Sequence, residues 1–469
     1  MNDDSIMHNN IAARLTNQND YQGALKHYHK AIHGRPDFVL AHYNLGLLFL
    51  KHSKFKEANI QFRNVVTLNP GHIGATFYLG VFALAADNLQ EAELAFKAVL
   101  TQDPEHNLAL NNLGVIALKQ QHEQLAVDYF SRALAYAPNN IEARNNLAST
   151  FMNYDRFDNA FTHYQILLEN DPDNQEYLYN AGVAQMALGY LATATTIFGR
   201  LLGLNPQHAA TLTNLGAIYS RLHNKKQAIC LLTQALDIDP QNGTAKHLLN
   251  ALTGCRENIV ANQEYTTNLF NNYALYYESH LQKYLNYQVP NCIITLCQEL
   301  NLTSFAHVLD LGCGTGLCGL VLRTRTQKLT GVDIAHKMLK EARKKAIYDL
   351  LIESEIIYFL NTQSCGSDQN KYDLLVMADV LPYFDDLALL FASISRHPMP
   401  QGYFIFTTEI STDQPWQLQE SARFSHHIDY ITSLCQENNF TIIRHKQIIA
   451  RTHEKQPLFV HLFAVKIGV

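Results

Sequence analysis

VLDLGCGTG, residues 308–316, is an apolar run that opens directly onto three alternating glycines. The run is long enough for one short buried strand, and the glycines allow a tight turn into a following helix. Working outward from this stretch, strands and helices alternate. A strand at Val308–Asp310 leads into a helix that reaches about Arg323. A second strand, Leu329–Asp333, precedes a lysine- and arginine-rich helix at 336–345. A third strand is predicted near Leu351–Glu355 and a fourth at Tyr372–Ala378. A helix over 384–396, a strand at Tyr403–Thr408, a helix near 427–437 and two late strands, about 441–450 and 458–466, complete the series. Alternation of this kind predicts an α/β, Rossmann-like domain with a mostly parallel sheet, and the late strands without an intervening helix predict an antiparallel edge.

The loop lies at the carboxyl end of the first strand, where open α/β sheets bind ligands. Gly312, Gly314 and Gly316 allow close backbone approach, with Cys313 between them. Asp333 ends the second strand, where a carboxylate can accept both hydroxyls of an adenosine ribose, so a nucleoside-bearing cofactor is implied. Dinucleotide folds use GxGxxG to cradle a pyrophosphate. Here Asp310 stands two residues before the first glycine. An acidic group would repel pyrophosphate and suits a cation, the amino group of S-adenosylmethionine.

The first half of the chain is different. Pro36, Pro70, Pro104, Pro138, Pro172, Pro206 and Pro240 fall every 34 residues, and the first 250 residues contain no other proline. A fixed period of this length means stacked two-helix repeats. With proline as position 32, position 8 is always glycine or alanine and position 20 always alanine, from Ala24 to Ala228. Position 24 reads Tyr28, Phe62, Phe96, Phe130, Tyr164, Phe198 and Leu232, large groups predicted to fill the gap between neighbouring pairs. Position 6 reads Asn10, Asn44, Tyr78, Asn112, Asn146, Asn180 and Asn214. A ladder of amides offers both donor and acceptor to the backbone of an extended peptide, so Asn44, Asn112, Asn146, Asn180 and Asn214 are candidate partner-binding residues. Residues 242–253 have the spacing of a capping helix, with Ala245, Leu248, Leu249 and Leu252 on one face.

Composition bounds the partners. Net charge is −6 and the isoelectric point about 6.4, giving no support for a nucleic-acid surface. The acidic, polar MNDDSIMHNN lacks the features of a signal peptide, and no apolar run reaches the roughly 18 residues that span a bilayer. A cytoplasmic location is the expectation. None of the eight cysteines has zinc-ligand spacing, so no metal is expected.

The repeats match the tetratricopeptide pattern over about residues 5–242. The resemblance implies an all-α superhelix whose concave face, carrying position 6, takes a protein or peptide. VLDLGCGTG resembles the first motif of class I S-adenosylmethionine-dependent methyltransferases. Together with LFNNYALYYESHLQKYLNYQVP (269–290), LTGVDIAHKML (329–339), YDLLVMADVLPYF (372–384) and RFSHHIDYI (423–431), the chain is similar to bacterial predicted methyltransferases that carry tetratricopeptide repeats. It also resembles, less closely, the ubiquinone- and biotin-pathway enzymes. Three parts follow: a repeat domain at 1–253, a linker at 254–266 and a catalytic domain at 267–469.

By resemblance, Asp310, Gly312, Cys313, Gly314 and Gly316 would hold the methionine portion of S-adenosylmethionine, which leaves as S-adenosylhomocysteine. Asp333 would hold the ribose, with Ile334 against the adenine. Glu355, with the backbone of Ile356, would meet the adenine edge. Asp379 would line the donor pocket. The aromatic helix bearing Phe270, Tyr273, Tyr276, Tyr277, His280, Leu281 and Tyr284 would be a lid, with Tyr273 over the methionine end. Tyr276-Tyr277-Glu278 stands where the group has Arg-Phe-Asp, which leaves the lid's charge contacts open. Catalytic residues are not readable; His426, His427, Tyr430 and Glu409 are the polar candidates near an acceptor. Three functions compete: a methyltransferase whose repeats recruit a protein, a small-molecule carboxylate or hydroxyl methyltransferase docked to an assembly, and a non-catalytic adaptor. The intact loop and its acidic residues argue against the adaptor.

Overall fold

The structure, a computed structural model, describes residues 2–254, 261–283, 285–362, 372–396, 398–453 and 456–468. It divides into two compact units, Met1–Leu188 and Gly189–Val469. Residues 255–260 of the expected linker, Tyr284 and the side chain of Tyr276 lie outside what is described.

The first unit is wholly helical, running from α1 (Asn2–Asn17) to α11 (Gln175–Ala187). The 34-residue period has three visible causes. Each second helix ends two residues before its proline; the Arg35 amide returns to the Ala31 carbonyl and Pro36 stops the next turn. Between the helices of each pair one residue adopts a left-handed backbone: Asn19, Ser53, Asp87, Gln121 and Asp155, with φ between 58° and 62°. The small column then seats the large one. A Cβ at Gly46 would stand 2.7 Å from the Phe62 ring, at Gly80 2.8 Å from Phe96, and at Gly114 2.5 Å from Phe130. Position 24 therefore packs first onto position 8 of its own repeat, not only between pairs as the sequence reading held. Its ring also reaches the next repeat, as where Phe62 stacks on Tyr78 at 4.9 Å. Ala24, Ala58, Ala92, Ala126 and Ala160 are fully buried.

The second unit begins with α12 (Leu191–Leu204), α13 (Ala209–Arg221) and α14 (Lys225–Ile238). The capping helix α15 (Gly243–Thr253) buries Ala245, Leu248 and Leu252 as its spacing predicts, leaves Leu249 half-buried, and buries His247 with them. Then come α16 (Gln263–Lys283), which is the aromatic helix, and α17 (Val289–Glu299).

A nine-stranded sheet follows. Its parallel part has the order β3 (Leu350–Glu353), β2 (Thr326–Asp333), β1 (Phe305–Leu311), β4 (Tyr372–Met377), β5 (Pro398–Ile410). Order reverses between β1 and β4, so their carboxyl ends open a crevice at the switch point. The expected antiparallel edge is present: β9 (Gln456–Ile467) pairs with β5, and β8 (Phe440–His453) with β9. Two short strands were not foreseen, β6 (Trp416–Leu418) and β7 (Phe424–His426), the latter pairing with Glu409 and Ile410 at the end of β5. Helices α18 (Leu317–Leu322), α19 (His336–Lys344), α20 (Ile356–Thr362), α21 (Ala388–Ile394) and α22 (Ile428–Glu437) flank the sheet.

Three boundaries differ from the sequence reading. The third strand stops at Glu353, so Glu355 precedes α20 rather than ending a strand. The helix expected over 384–396 is a single turn at Leu381–Tyr383 followed by α21. His426 closes β7, and His427 caps α22 rather than lying in the helix expected from about 427.

Candidate active site

The glycine loop is built by three left-handed residues, Gly312, Gly314 and Gly316, with φ of 69°, 54° and 93°. Their reasons differ. A Cβ on Gly312 would stand 2.5 Å from Val380, and one on Gly316 2.9 Å from Tyr348. At Gly314 the nearest atom is Tyr277 of α16, 4.0 Å away. Gly314 therefore keeps an approach open, while its neighbours make room for side chains of the same domain. The amides of Gly312 and Cys313 both donate to the Val332 carbonyl, at 2.8 and 3.0 Å, stitching the loop to β2. Cys313 is buried. The buried Thr315 hydroxyl has no hydrogen-bond partner among the described residues.

Two carboxylates sit beneath the loop. Asp310 is 1% exposed and accepts from the Tyr348 hydroxyl at 2.7 Å. Burial pushes its carboxyl up to about 7, against the Tyr348 bond, and Asp333 adds to the rise. Asp333 accepts from the amides of Gly314 and Ala335, each at 2.8 Å. Burial raises it to about 6, with those amides opposing. Two buried carboxyls held this far from their ordinary range form a site that favours a cation. Ile334 is half-buried just after Asp333, and Ile356 is in the core at the start of α20. Glu355 caps α20, accepting from the amides of Ile357 at 2.9 Å and Tyr358 at 2.5 Å.

The aromatic helix α16 lies against this loop. Phe270 and Tyr277 pack with Ala274, Ala335 and Met338. The Lys337 amide donates to Asn271 at 3.1 Å. Glu278 pairs with Lys345, which also donates to the Thr315 carbonyl, so α16 makes a charge contact at the position the sequence left open. Tyr273 is hydrogen-bonded to His280, and burial pushes its phenol up to about 12.

Beyond the loop stands an assembly that the sequence did not reveal. Asp379, in a left-handed conformation with φ 61°, accepts from Arg423 at 2.5 Å and from Arg451 at 2.9 Å. Glu409, at the end of β5, accepts from Arg423 Nε at 2.6 Å and from Arg451 at 3.4 Å. Arg423 also donates to the Tyr383 hydroxyl at 2.8 Å, its guanidinium 5.0 Å from that ring. All four side chains are between 9% and 14% exposed. Tyr383 meets Phe270 of α16 at 4.9 Å. Arg423 and Arg451 are 28 residues apart on different strands or loops, so no local pattern joins them, although Arg423 opens the RFSHHIDYI stretch; the acidic clue, Asp379 and Glu409 at two adjacent strand ends, was there to be read.

The other polar candidates are committed elsewhere. His426 is fully buried, with Nδ1 2.7 Å from the Thr408 hydroxyl and Nε2 3.1 Å from the Phe384 and Asp385 carbonyls. Burial lowers it to about 4. His427 caps α22, accepting from the Asp429 amide. Tyr430 donates to Asp386 at 2.7 Å and accepts from the Leu387 amide at 2.8 Å. These bonds brace the segments around β7 and place no free base at the loop.

In the repeats, the asparagine column is partly spent within the fold. Asn44 donates to Asn9 at 3.1 Å and Asn146 to Asn111 at 2.9 Å, each joining its repeat to the one before. Asn112 donates to the Leu108 carbonyl at 2.8 Å, and Asn180 meets the Tyr164 hydroxyl. Asn214 is half-buried on α13.

Comparison with known proteins agrees with both halves. A methyltransferase domain family matches residues 302–456. Tetratricopeptide repeat families match residues 14–53, 47–104, 79–141 and 176–241. A biotin biosynthesis bifunctional protein of Saccharophagus degradans is 32% identical over 139 residues, 30% of this chain and 24% of that protein. A ubiquinone biosynthesis O-methyltransferase of Alkalilimnicola ehrlichii is 30% identical over 104 residues, 22% of this chain and 41% of that protein. The chain thus spans about a quarter to two-fifths of the length of these two curated relatives. Among solved structures, YrrB, described as a tetratricopeptide repeat protein with an unusual peptide-binding site, covers 40% of this chain and 96% of its own at 21% identity and a TM-score of 0.38. No helix among the described residues is long and apolar enough to cross a membrane. The chain therefore carries tetratricopeptide repeats in its N-terminal region and a methyltransferase domain at its C-terminal end.

Proposed function

We propose that the chain is an S-adenosylmethionine-dependent methyltransferase whose repeats recruit a protein that is, or carries, the methyl acceptor. The observation that carries the cofactor reading is the open approach at Gly314, flanked by the buried acids Asp310 and Asp333 and the partnerless Thr315 hydroxyl. These residues fit the group: an amino group can restore the charge of Asp310, a ribose diol can use the remaining lone pairs of Asp333, and the Thr315 hydroxyl gains a partner. Bound there, S-adenosylmethionine supplies a sulfonium methyl whose leaving group needs no acid.

The chain's part is positioning and exclusion of water. Tyr273 and Tyr277 on α16 cover the methionine end. Asp379, Glu409, Arg423, Arg451 and Tyr383 form the acceptor end. Two guanidinium groups and two carboxylates are formally neutral together, so this wall orients an acceptor without repelling a sulfonium. A proton must leave only if the acceptor is an amine, a hydroxyl or a carbon acid. In this reading Glu355 acts through its cap, fixing the Ile356 backbone that would meet the adenine edge. The position-6 amides serve the partner with what the inter-repeat bonds leave over, chiefly the carbonyl oxygens of Asn44 and Asn146.

Small-molecule transfer to oxygen is the second reading. The relative named as a ubiquinone biosynthesis O-methyltransferase supports it. Labelled-methyl transfer from S-adenosylmethionine into fractionated extract of the source cells tests both. Label in protein supports the first reading and label in small molecules the second. Incorporation no higher than with a folded D333A variant rejects methyl transfer.

A further inference from the structure

We infer that His247, on the helix that closes the repeats, is a positioning residue for Arg423 and so for the acceptor end. The inference rests on the reading of the arginine–carboxylate wall as that end. His247 is 6% exposed, and its Nε2 lies 3.0 Å from the carbonyl of Ala422, the residue before Arg423. A carbonyl only accepts, so the imidazole donates. Ala422 has a left-handed backbone with φ 59°, a conformation unfavourable for a residue with a Cβ that persists where neighbours hold it.

Several contacts do so. The Ala422 amide donates to Gln419 at 2.9 Å, and the Gln419 amide to the Arg423 carbonyl at 2.8 Å. Lys225 of α14 pairs with Glu420 on the same turn. The His247 ring stands 6.1 Å from Phe424, the residue after Arg423. The same imidazole packs, tilted, at 4.4 Å against Tyr265 of α16, and Asn262, which caps α16, lies so close to Gly243 that a Cβ there would strike it. One buried ring thus bears on both the Arg423 turn and the lid helix. Arg423 in turn holds Asp379, Glu409 and Tyr383. A residue outside the sheet domain sets where the acceptor wall stands, and the capping helix belongs to the site.

The test uses the full chain and its single tryptophan, Trp416, whose ring is 5.9 Å from Phe424. H247F keeps the ring against Tyr265 and Phe424 but deletes the donor; H247Q keeps a donor. Hydrogen exchange is followed by mass spectrometry over 379–385 and 419–426, with 308–316 as internal reference, alongside Trp416 emission and S-adenosylmethionine titration. In H247F exchange over 419–426 should rise about tenfold and Trp416 emission should shift, while cofactor affinity stays within about twofold; H247Q should restore both signals. Unchanged exchange in a folded H247F, or an H247Q as perturbed as H247F, overturns the inference. Should H247F not fold, H247A, which deletes the donor without adding bulk, decides: a rise of about tenfold over 419–426 with 308–316 unchanged supports it, and no rise overturns it. If the unaltered protein binds no S-adenosylmethionine, it is the methyltransferase reading that fails, whatever the exchange shows.

Discussion

In the proposed cofactor site, Asp310 and Asp333 hold the two charges on which binding turns. Both carboxyls titrate higher in the folded protein than in the unfolded chain, at about 7 and about 6. The folded form therefore binds the extra protons, and the stability these groups contribute is fully present below the ordinary carboxylate range and lost as pH rises through 7. Binding of a cation has the opposite slope, because it needs the carboxylates. The affinity for S-adenosylmethionine should rise about tenfold from pH 6 to pH 8, while the melting temperature of the unliganded protein falls over the same interval. D310N should flatten the affinity profile and raise the unliganded melting temperature above pH 7. Calorimetry and thermal scans at three pH values check both slopes. A parent protein that binds better at pH 6 than at pH 8 contradicts this assignment. These residues were legible because they sit in contiguous motifs. Tyr348, Arg423 and Arg451 were not, because each reaches the site from a distant segment, and the RFSHHIDYI stretch that opens with Arg423 does not say what that arginine meets.

At the scale of the element, a repeat helix pair is held by a glycine that seats an aromatic ring. An alanine in a helix interior gains up to about 1 kcal/mol over glycine. At Gly114 the added Cβ would stand 2.5 Å from the Phe130 ring, so overpacking, costing about 1–3 kcal/mol, outweighs that gain. G114A should lower the stability to urea by about 1 kcal/mol or more. G199A, where nothing lies within 4 Å, should raise it by up to about 1 kcal/mol. Equal shifts in the two would show that the glycine column does not seat the rings. Proline spacing and small columns exposed the repeats in the sequence, because a period repeats its evidence. The short strands β6 and β7 were missed for the opposite reason: three residues each carry no alternation to read. Glu355 was read as a strand-end acid and instead caps α20, since the two look alike in sequence.

For the whole molecule, the sequence shows repeats and a methyltransferase domain, where the second compact unit joins parts of both. It begins at Gly189, within the sixth repeat, and the Lys225, Asn242 and His247 region lies inside it with the sheet. A chain of residues 207–469 should therefore keep cofactor affinity within about threefold of the full protein. A chain of residues 254–469 should unfold at least about 5 °C lower, having lost the helix that holds Ala422. The central claim is narrower than any of these: the glycine loop of this domain binds S-adenosylmethionine through Asp333. Calorimetric titration of the full protein at pH 8 tests it most directly. The account predicts a dissociation constant on the order of micromolar, weakened at least about tenfold in a folded D333A variant. No heat of binding from the folded parent protein, or equal affinity in D333A, would contradict it.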